Sequence, residues 1–370
     1  MKRINILSYT NTTNYGGLLQ LYALSKVLSR DFDVNVIRYN NTSRIQRSKF
    51  RDILAHLYNS VFRFLSIDKK RKNNEKRFLN YVPLTQSIYS ASNSISKISC
   101  DYFLVGSDQV WNPYLNGFDA TYLFNFDTQA TKVSYAASFG VEKIPDEWSK
   151  KVGDCLTDFK HISLREKTGM DILNSISSLK NIKKTIDLDP TLLIEKKEWE
   201  ECFCAEPLFN KKYILIYLMP GDKKIEKEMI QIGKKKAKNE RCKLVVIGRK
   251  NIDKYNIFKS GYYHAGPAEF VNLVYYADFV ITNSFHGTAF SVNLNKPFLS
   301  FVNSKQNSAN SLKSRILDFL NQLGLDDNIF DVSKDHNLLK NFDIDYSVTN
   351  KKLELLRDSS LQNLYGNFKN

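Results

Sequence analysis

Short apolar strands alternate with helical segments along this chain, and this alternation restricts its fold more than any other feature of the sequence. The chain opens with the strand INILSY, a turn containing Gly16 and Gly17, the helix LLQLYALSKVLS and the strand DVNVIRY. Further strands are predicted at 102–106, 132–138 and 161–165. Because helices separate consecutive strands, the first half of the chain predicts a parallel sheet with helices on both faces.

The second half of the chain repeats this pattern. It contains the strand KYILIYLM, a Lys-rich helix, the strand CKLVVIG and, from residue 269, a helix, a strand and a further helix. The sequence therefore predicts an α/β protein with two doubly wound, Rossmann-like domains and a cleft between them. A chain of 370 residues is long enough to bury two cores. We assign residues 1–195 to an N-terminal domain, 196–345 to a C-terminal domain and 346–370 to a helix that crosses back onto the N-terminal domain.

Residues 277–301, ADFVITNSFHGTAFSVNLNKPFLSF, predict a strand, a tight turn, a helix and a strand, with His286 in the first turn of the helix. Free backbone N–H groups and the positive end of the helix dipole attract anions at such a position. Asn283, Ser284 and Thr288 add neutral donors around the imidazole. An anionic substrate and an acid/base group would thus share one pocket. The alternative is that His286 only caps or packs the helix.

Three motifs, NTTNYGG, GSDQVWN and TNSFHG, follow the carboxyl ends of predicted strands, and Arg165 is the last residue of another. Ligands of doubly wound sheets bind beyond these ends, so the motifs are expected to converge on the cleft. Gly16 and Gly17 do not form the GxGxxG pattern of dinucleotide-binding proteins, and a nicotinamide cofactor gains no support.

Several separated segments resemble the polysaccharide pyruvyl transferases. They are TNTTNYGGLLQLYALSKVL near the start, DYFLVGSDQVWNP at 101–113, VSYAASFG at 133–140, HISLREKTG at 161–169, DLDPTLL at 187–193 and GPAEFVNLVYYADFVITNSFHGTAFS at 266–291. The resemblance implies a two-domain architecture akin to that of GT-B glycosyltransferases. It also implies transfer of pyruvate from phosphoenolpyruvate, a substrate and not a cofactor, to two hydroxyls of a sugar. The product would be a cyclic ketal on a lipid-linked precursor of a surface polysaccharide, with release of phosphate.

Such a reaction needs cations for the donor's phosphate and carboxylate, an acid for its methylene carbon and a base for the attacking hydroxyls. The family's motif histidine corresponds to His286, which the resemblance implies is the acid/base group. Arg165 corresponds to an arginine that the family places in the cleft, and we assign it to the donor's phosphate or carboxylate. The alternative for Arg165 is a surface ion pair with Glu166 or Asp171.

One departure from the family concerns the donor site. Some members carry an arginine two residues before the histidine, where this chain has Ser284. Our candidates to replace that cation are Arg315 and Lys305. Arg315 lies on a predicted helix after the KPFLSF strand, and the alternative is that it only faces solvent from that helix. The remaining residues that we assign to the donor site are Asn283, Ser284, Gly287 and Thr288.

For the acceptor sugar we expect planar amides, carboxylates and an aromatic face, which are the groups that usually hold sugars. Asp108 is also a candidate base for a sugar hydroxyl. Core packing is the alternative for Trp111. With Asp108, the residues that we assign to the acceptor site are Asn14, Tyr15, Gly16, Gly17, Ser107, Gln109 and Trp111.

A basic segment lies between residues 44 and 80. From Arg44 to Arg77 it holds eleven Lys or Arg against three acidic residues, out of a net charge of +15 for the whole chain. Apolar residues recur at helical spacing from Phe50 to Leu65, which predicts an amphipathic helical insertion. The stripe either packs on the domain or lies on the inner face of an anionic membrane, where a lipid-linked acceptor would be found.

Other properties narrow the protein class. No stretch of about 18 apolar residues occurs and the N-terminus turns polar early, so we predict a cytoplasmic protein, with the inner membrane face as a possible location. Cys202 and Cys204 lack a nearby histidine, and no metal site is predicted. The basic segment contains no recognised nucleic-acid-binding module.

Two other functions stay open at this point. A GT-B-type nucleotide-sugar glycosyltransferase would use the same cleft. Many such enzymes have two glutamates separated by seven residues in the second domain. This chain does not, because the position eight residues after Glu269 is Ala277. A non-catalytic glycan-binding protein would keep the aromatic and amide groups but would not need His286 beside cations.

Overall fold

The computed structural model describes residues 1–12, 14–41, 61–219, 221–248, 265–304, 312–334 and 344–368, except for the side chains of 61–69, 312 and 313. Its strands are β1 (Arg3–Leu7), β2 (Asp33–Tyr39), β3 (Leu84–Tyr89), β4 (Tyr102–Val105), β5 (Thr131–Ser134), β6 (Phe159–Leu164), β7 (Lys184–Ile186), β8 (Tyr213–Leu218), β9 (Lys243–Gly248), β10 (Phe279–Thr282), β11 (Phe298–Val302) and β12 (Ile329–Asp331). Its helices are α1 (Tyr15–Leu28), α2 (Val61–Leu79), α3 (Ser92–Ile95), α4 (Pro113–Asn116), α5 (Asp146–Leu156), α6 (Lys167–Asn174), α7 (Lys196–Phe203), α8 (Lys223–Asn239), α9 (Pro267–Tyr276), α10 (Phe285–Asn293), α11 (Leu312–Leu323) and α12 (Tyr346–Gly366).

The described strands form two sheets in which every neighbouring pair is parallel. The first has the order β3-β2-β1-β4-β5-β6-β7 and the second β12-β11-β10-β8-β9. The prediction of an α/β fold with two doubly wound, Rossmann-like sheets is confirmed. In such sheets the crevice for ligands opens where the strand order reverses. These points lie between β1 and β4 in the first sheet and between β8 and β10 in the second.

Strand β8 shows why these segments form central strands. Its sequence YILIYL is buried at all six positions, as expected for a parallel strand covered by helices on both faces. The next helix, α8, begins at a side-chain cap, because Asp222 accepts hydrogen bonds from the backbone N–H groups of Lys224 and Ile225. Apolar strand and capped helix together define the β-α unit that builds the second sheet.

A single apolar cluster joins elements of both sheets. Tyr22 on α1 lies with its ring centroid 5.7 Å from that of Trp199 on α7, and Trp199 lies 5.0 Å from Phe290 on α10. The indole N–H of Trp199 donates to the carbonyl of Thr191, so the polar atom of this buried ring is satisfied. The contact between the two sheets is therefore a packed apolar core.

Helix α12 contacts elements of both sheets. Tyr365 donates through its hydroxyl to the carbonyl of Val27 on α1, at 3.0 Å, and Asn363 donates to Asp187 after β7, at 2.8 Å. On the other side Arg357 donates to the side-chain oxygen of Asn293 at the end of α10. The domain boundaries themselves, at 195 and 345, stay a prediction.

The predicted basic insertion at 44–80 falls largely outside the described residues. Helix α2 covers its second part, whereas the side chains of the apolar stripe from Phe50 to Leu65 are not described. The choice between packing and membrane contact therefore stays open. No helix in the described part of the chain is long and apolar enough to cross a membrane.

Candidate active site

His286 lies in the first turn of α10, as the sequence predicts. The strand β10 ends at Thr282, Ser284 has an extended backbone with φ −105° and ψ 137°, and the helix begins at Phe285. Gly287 permits the tight return of the helix onto the strand, since a Cβ there would lie 2.2 Å from Thr282 Oγ1. The turn is thus set by sterics, and it fixes where the imidazole emerges.

The imidazole of His286 contacts two separate segments of the first half of the chain. Nε2 lies 3.4 Å from Oδ2 of Asp189, which follows β7 of the first sheet. The ring also packs on Gly16 in the first turn of α1, so closely that a Cβ at Gly16 would lie 2.0 Å from Nδ1, 2.1 Å from Cγ and 2.5 Å from Cε1. The histidine of the second sheet is therefore held between two segments that follow strands of the first sheet.

Arg165 is buried beside this histidine. Its side chain is only 1% exposed, and Nη1 donates to Asp189 Oδ2 at 2.7 Å, the same oxygen that faces His286. The guanidinium carbon lies 5.2 Å from the centre of the Phe285 ring, within cation–π range. Its Nε and Nη2 donate no hydrogen bond to any described residue. The surface-pair interpretation is wrong, because the guanidinium is buried and pairs with Asp189, with Glu166 only as a more distant neighbour at 3.9 Å.

Asp189 is the functional candidate that sequence reasoning missed. Its Oδ1 accepts hydrogen bonds from the backbone N–H and the hydroxyl of Thr191, and the residue is buried. Burial alone would raise the pKa of Asp189, but the attraction of His286 and Arg165, with the Thr191 hydrogen bond, holds this pKa well below its usual range. Its position shortly after β7, within DLDPTLL, was the available signal.

Arg315 reaches the same cluster from α11. It is 4% exposed, which excludes the exposed-face interpretation. Burial and the positive charge of Arg165 lower the pKa of Arg315 to about 10, although the carboxylates of Glu166, Asp108 and Asp189 act in the opposite direction. Two buried arginines that repel each other therefore share this region. Lys305, the other candidate for the missing family cation, lies outside the described residues.

Asp108 lies in the segment that follows β4 and has an unusual backbone conformation. Its φ is 79°, in the left-handed region that non-glycine residues rarely adopt. Its Oδ1 accepts from the backbone N–H of Gln109, and its Oδ2 would lie 3.0 Å from a Cβ added at Gly17. Strained backbone of this kind persists where the surrounding structure fixes it, often in functional sites. Asp108 and His286 thus face consecutive glycines of one turn.

Some predicted acceptor residues are core residues. Trp111 is fully buried, its ring lies 5.4 Å from Phe139, and its indole N–H donates to the carbonyl of Tyr122. It offers no open face, so the prediction that Trp111 stacks on a sugar is corrected in favour of core packing. Tyr15 is also buried, and it stacks on Tyr217 of β8 at 5.7 Å. It packs the two sheets together and has no open ring face for the acceptor.

The neutral donors near His286 are used within the fold. The side chain of Asn283 bridges the backbone N–H and carbonyl of Met219, both at 2.7 Å. The hydroxyl of Thr288 is buried against the carbonyl of Ser284 and the hydroxyl of Ser300. These contacts hold α10 on its strand, so the prediction that Asn283 and Thr288 surround a ligand is corrected to a structural role.

The other acceptor candidates lie near the strand ends, and each has different surroundings. Ser107 is fully buried. The Gln109 side-chain oxygen accepts from Asn112 and packs so closely on Gly140 that a Cβ there would lie 1.9 Å from it. Asn14 is half-buried at the N-terminus of α1, where its side chain makes no capping hydrogen bond. Of the acceptor candidates, Gly16 contacts His286, and Asp108 lies beside the next residue, Gly17.

The contact between Gly16 and His286 gives a direct prediction. Gly16→Ala should lower kcat/KM at least tenfold, because the new methyl group occupies the position of the imidazole, and displacements of about 1 Å reduce rates strongly. Crowding should lower stability by only about 1–3 kcal/mol, partly offset by the better helix propensity of alanine. Steady-state kinetics and thermal melts measure the two effects. Gly366→Ala, where a Cβ meets nothing within 4 Å, is the control, and equal activity of both variants would contradict the contact.

The sequence matches one protein family over most of its length. A family model described as polysaccharide pyruvyl transferase matches residues 14–305, which is most of the chain. No curated protein sequence matches the chain. Helices α11 and α12, and with them Arg315, lie beyond the matched residues.

Solved structures show the fold. A protein described as a UDP-N-acetylglucosamine 2-epimerase from Listeria monocytogenes is 11% identical with a TM-score of 0.51, over 97% of this chain and 96% of that chain. The UDP-GlcNAc 2-epimerase of Methanocaldococcus jannaschii, solved with UDP-GlcNAc and UDP, is 12% identical with a TM-score of 0.48, over 96% and 99%. At such identities the likeness concerns architecture alone, and the predicted GT-B-like arrangement is confirmed.

Proposed function

The chain belongs to the polysaccharide pyruvyl transferase family, and on that premise we propose that it transfers pyruvate from phosphoenolpyruvate to two hydroxyls of one sugar. The product is a cyclic ketal, and phosphate is released. The observation that carries the proposal is the buried group in which His286, Arg165 and Asp189 meet across the two sheets. An acid/base group beside fixed cations is what an anionic enol donor requires.

The cations account for recognition of the donor. Phosphoenolpyruvate carries a phosphate and a carboxylate, and Arg165 and Arg315 place two positive charges in one buried region. The N-terminal end of α10 adds a favourable dipole for the same anion. The Nε and Nη2 atoms of Arg165, which donate to no described residue, supply the edge of the guanidinium for a bidentate contact. Arg315 supplies the positive charge that some family members supply with an arginine at the position of Ser284.

The proton movements follow from the chemistry of the donor. His286 donates a proton to the methylene carbon, and the adjacent carbon becomes electrophilic. The first sugar hydroxyl forms a C–O bond at that carbon and releases its proton, which Asp108 accepts. The second hydroxyl forms a C–O bond at the same carbon as the bond to phosphate breaks. The proton of the second hydroxyl passes to His286, which regains the proton that it gave to the methylene carbon. The proton held by Asp108 passes to the departing phosphate.

The acceptor is a sugar of a lipid-linked surface-polysaccharide precursor. The basic segment at 44–80, with eight net positive charges between Arg44 and Arg77, supports this choice, because anionic headgroups would bring the protein to the lipid carrier. In this proposal the protein works at the inner face of the cell membrane. No cofactor or nucleic acid takes part.

A donor panel tests the proposal against the two alternatives. Purified protein is incubated with an oligosaccharide acceptor and either phosphoenolpyruvate or UDP-sugars, and the release of phosphate and of nucleotide is measured. We expect phosphate release only with phosphoenolpyruvate and acceptor together, and an acceptor mass increased by one pyruvate less one water. Nucleotide release would instead indicate a glycosyltransferase. Acceptor binding with neither product would indicate a glycan-binding protein.

A further inference from the structure

The carboxylate of Asp189 faces both candidate groups of the site through a single oxygen. Oδ2 lies 2.7 Å from Arg165 Nη1 and 3.4 Å from His286 Nε2. Its other oxygen is fixed by Thr191, whose hydroxyl donates at 2.7 Å and whose backbone N–H donates at 3.0 Å. The carboxylate therefore cannot rotate freely, and both partners depend on its position.

The surroundings keep this carboxylate ionised. Asp189 is 1% exposed, and its neighbours hold its pKa well below the usual range despite burial. An ionised carboxylate next to a histidine favours the imidazole with its proton on the facing nitrogen. The facing nitrogen here is Nε2. The 3.4 Å separation is long for a hydrogen bond, and such distances often shorten when substrate binds.

Because Nε2 faces Asp189, Nδ1 is the ring nitrogen that Asp189 leaves for proton exchange with a substrate. The ring packs on Gly16, where a Cβ would lie 2.0 Å from Nδ1 and 2.1 Å from Cγ, and a Cβ at the next residue, Gly17, would lie 3.0 Å from Asp108 Oδ2. Two consecutive glycines, which carry no side chain, thus lie beside the two groups. A proton donor for the methylene carbon and a proton acceptor for the attacking hydroxyl need to serve one bound donor in this way.

We propose that Asp189 is a positioning residue that holds His286 with its proton on Nε2, so that Nδ1 exchanges protons with the substrate. The same carboxylate oxygen fixes the guanidinium of Arg165, which sets the donor relative to Nδ1. This role rests on the proposed pyruvyl transfer for its kinetic part, whereas the proton position of His286 is independent of the substrate.

Segment 187–192 is itself held in place by the C-terminal helix. Ser360 accepts a hydrogen bond from the backbone N–H of Leu188, and Arg357 donates to the carbonyl of Leu192 at 2.7 Å. These contacts flank Asp189 on both sides. Helix α12 lies beyond the residues that the family model matches, so this support is a property of the described chain and not of the matched region.

The test combines spectroscopy with kinetics on the full chain. In protein with ¹⁵N-labelled histidine, the signals of His286 are assigned by their loss in His286→Gln. We expect the neutral ring to carry its proton on Nε2 in the wild type and to become a mixture of tautomers in Asp189→Asn. The same variant should lose kcat at least about tenfold, as second-layer partners typically do, and raise the donor KM. In the His286→Gln background, Asp189→Asn should add less than about threefold to the loss of kcat.

Two further variants keep the result interpretable. Thr191→Val removes the hydroxyl that fixes Asp189 without removing any charge, and a several-fold lower kcat is expected even if Asp189→Asn fails to fold. Asp187→Asn is the matched control, because that buried carboxylate bonds to Ser163 and Asn363 and should leave the His286 signals unchanged. A wild-type ring protonated on Nδ1, or a folded Asp189→Asn with normal kcat, would overturn the proposal. If the wild type transfers no pyruvate, the proposed function fails while the tautomer measurement still decides the role of Asp189.

Discussion

His286→Gln should reduce pyruvyl transfer by at least about 100-fold, the lower end of what a positioned acid/base group contributes. Glutamine retains polarity and approximate size but cannot deliver a proton at neutral pH. The imidazole lies at the start of α10 with Nε2 near Asp189 and its ring packed on Gly16, so the substitution removes a proton carrier and little core volume. Single-turnover rates with phosphoenolpyruvate and acceptor measure the loss of activity, and a thermal melt measures the change in stability.

His161→Gln is the matched control for this result. His161 is also a buried histidine, on β6. Its Nε2 lies 3.0 Å from the hydroxyl of Thr185, and neither residue belongs to the His286 site. We expect this variant to melt earlier and to transfer pyruvate at a normal rate per folded molecule. A His286→Gln enzyme with near-normal turnover would show that the proton comes from another group.

Arg165→Ala should damage both donor use and stability. The contact to the donor's phosphate or carboxylate is charge-assisted, and we expect kcat/KM for phosphoenolpyruvate to fall on the order of 100-fold with a smaller change for the acceptor. The substitution also leaves Asp189 buried without its closest cation, and loss of one partner of a buried pair costs about 3–5 kcal/mol. Chemical denaturation and donor kinetics measure the two effects separately. Arg165→Lys should recover part of both, because a point charge cannot replace the guanidinium fork.

The stability effect of Arg165→Ala should depend on pH in a defined direction. Arg165 lowers the pKa of Asp189 in the folded protein, so its contribution is fully present above the unfolded pKa of about 4 and is lost as pH falls below it. The difference in unfolding free energy between wild type and variant should therefore shrink in acid. Arg3→Ala removes an exposed pair with Asp33, and this control should leave the unfolding free energy nearly unchanged at any pH. A constant difference for Arg165→Ala across this range would contradict the pairing with Asp189.

The sequence predicts the fold and the location of His286 because both follow from local rules. Alternation of apolar strands and helices determines the two parallel sheets, and parallel sheets bring ligand residues to their carboxyl ends. His286, Arg165 and Arg315 lie close together for this reason, although they come from separate parts of the chain. Asp189 also follows a strand, but its pairing with Arg165 and His286 depends on how the two sheets pack, which no local pattern encodes.

Residue type alone was a poor guide to the acceptor site. A tryptophan has the same sequence signature in a sugar site and in a core, and Trp111 is in the core with its N–H satisfied by a backbone carbonyl. Asn283 illustrates the same limit for amides, because its side chain bonds the neighbouring strand at Met219. The role of Gly16 depends on contact across the two sheets, which no spacing in the sequence encodes.

A mass spectrum of the surface glycan made by cells with and without this protein tests the central claim most directly. The account predicts that glycan from cells with the protein carries ketal-linked pyruvate, that the modification disappears when the protein is removed, and that wild type but not His286→Gln restores it. A glycan with the same pyruvate content in all of these cells, or one that instead loses a sugar unit when the protein is removed, would contradict it.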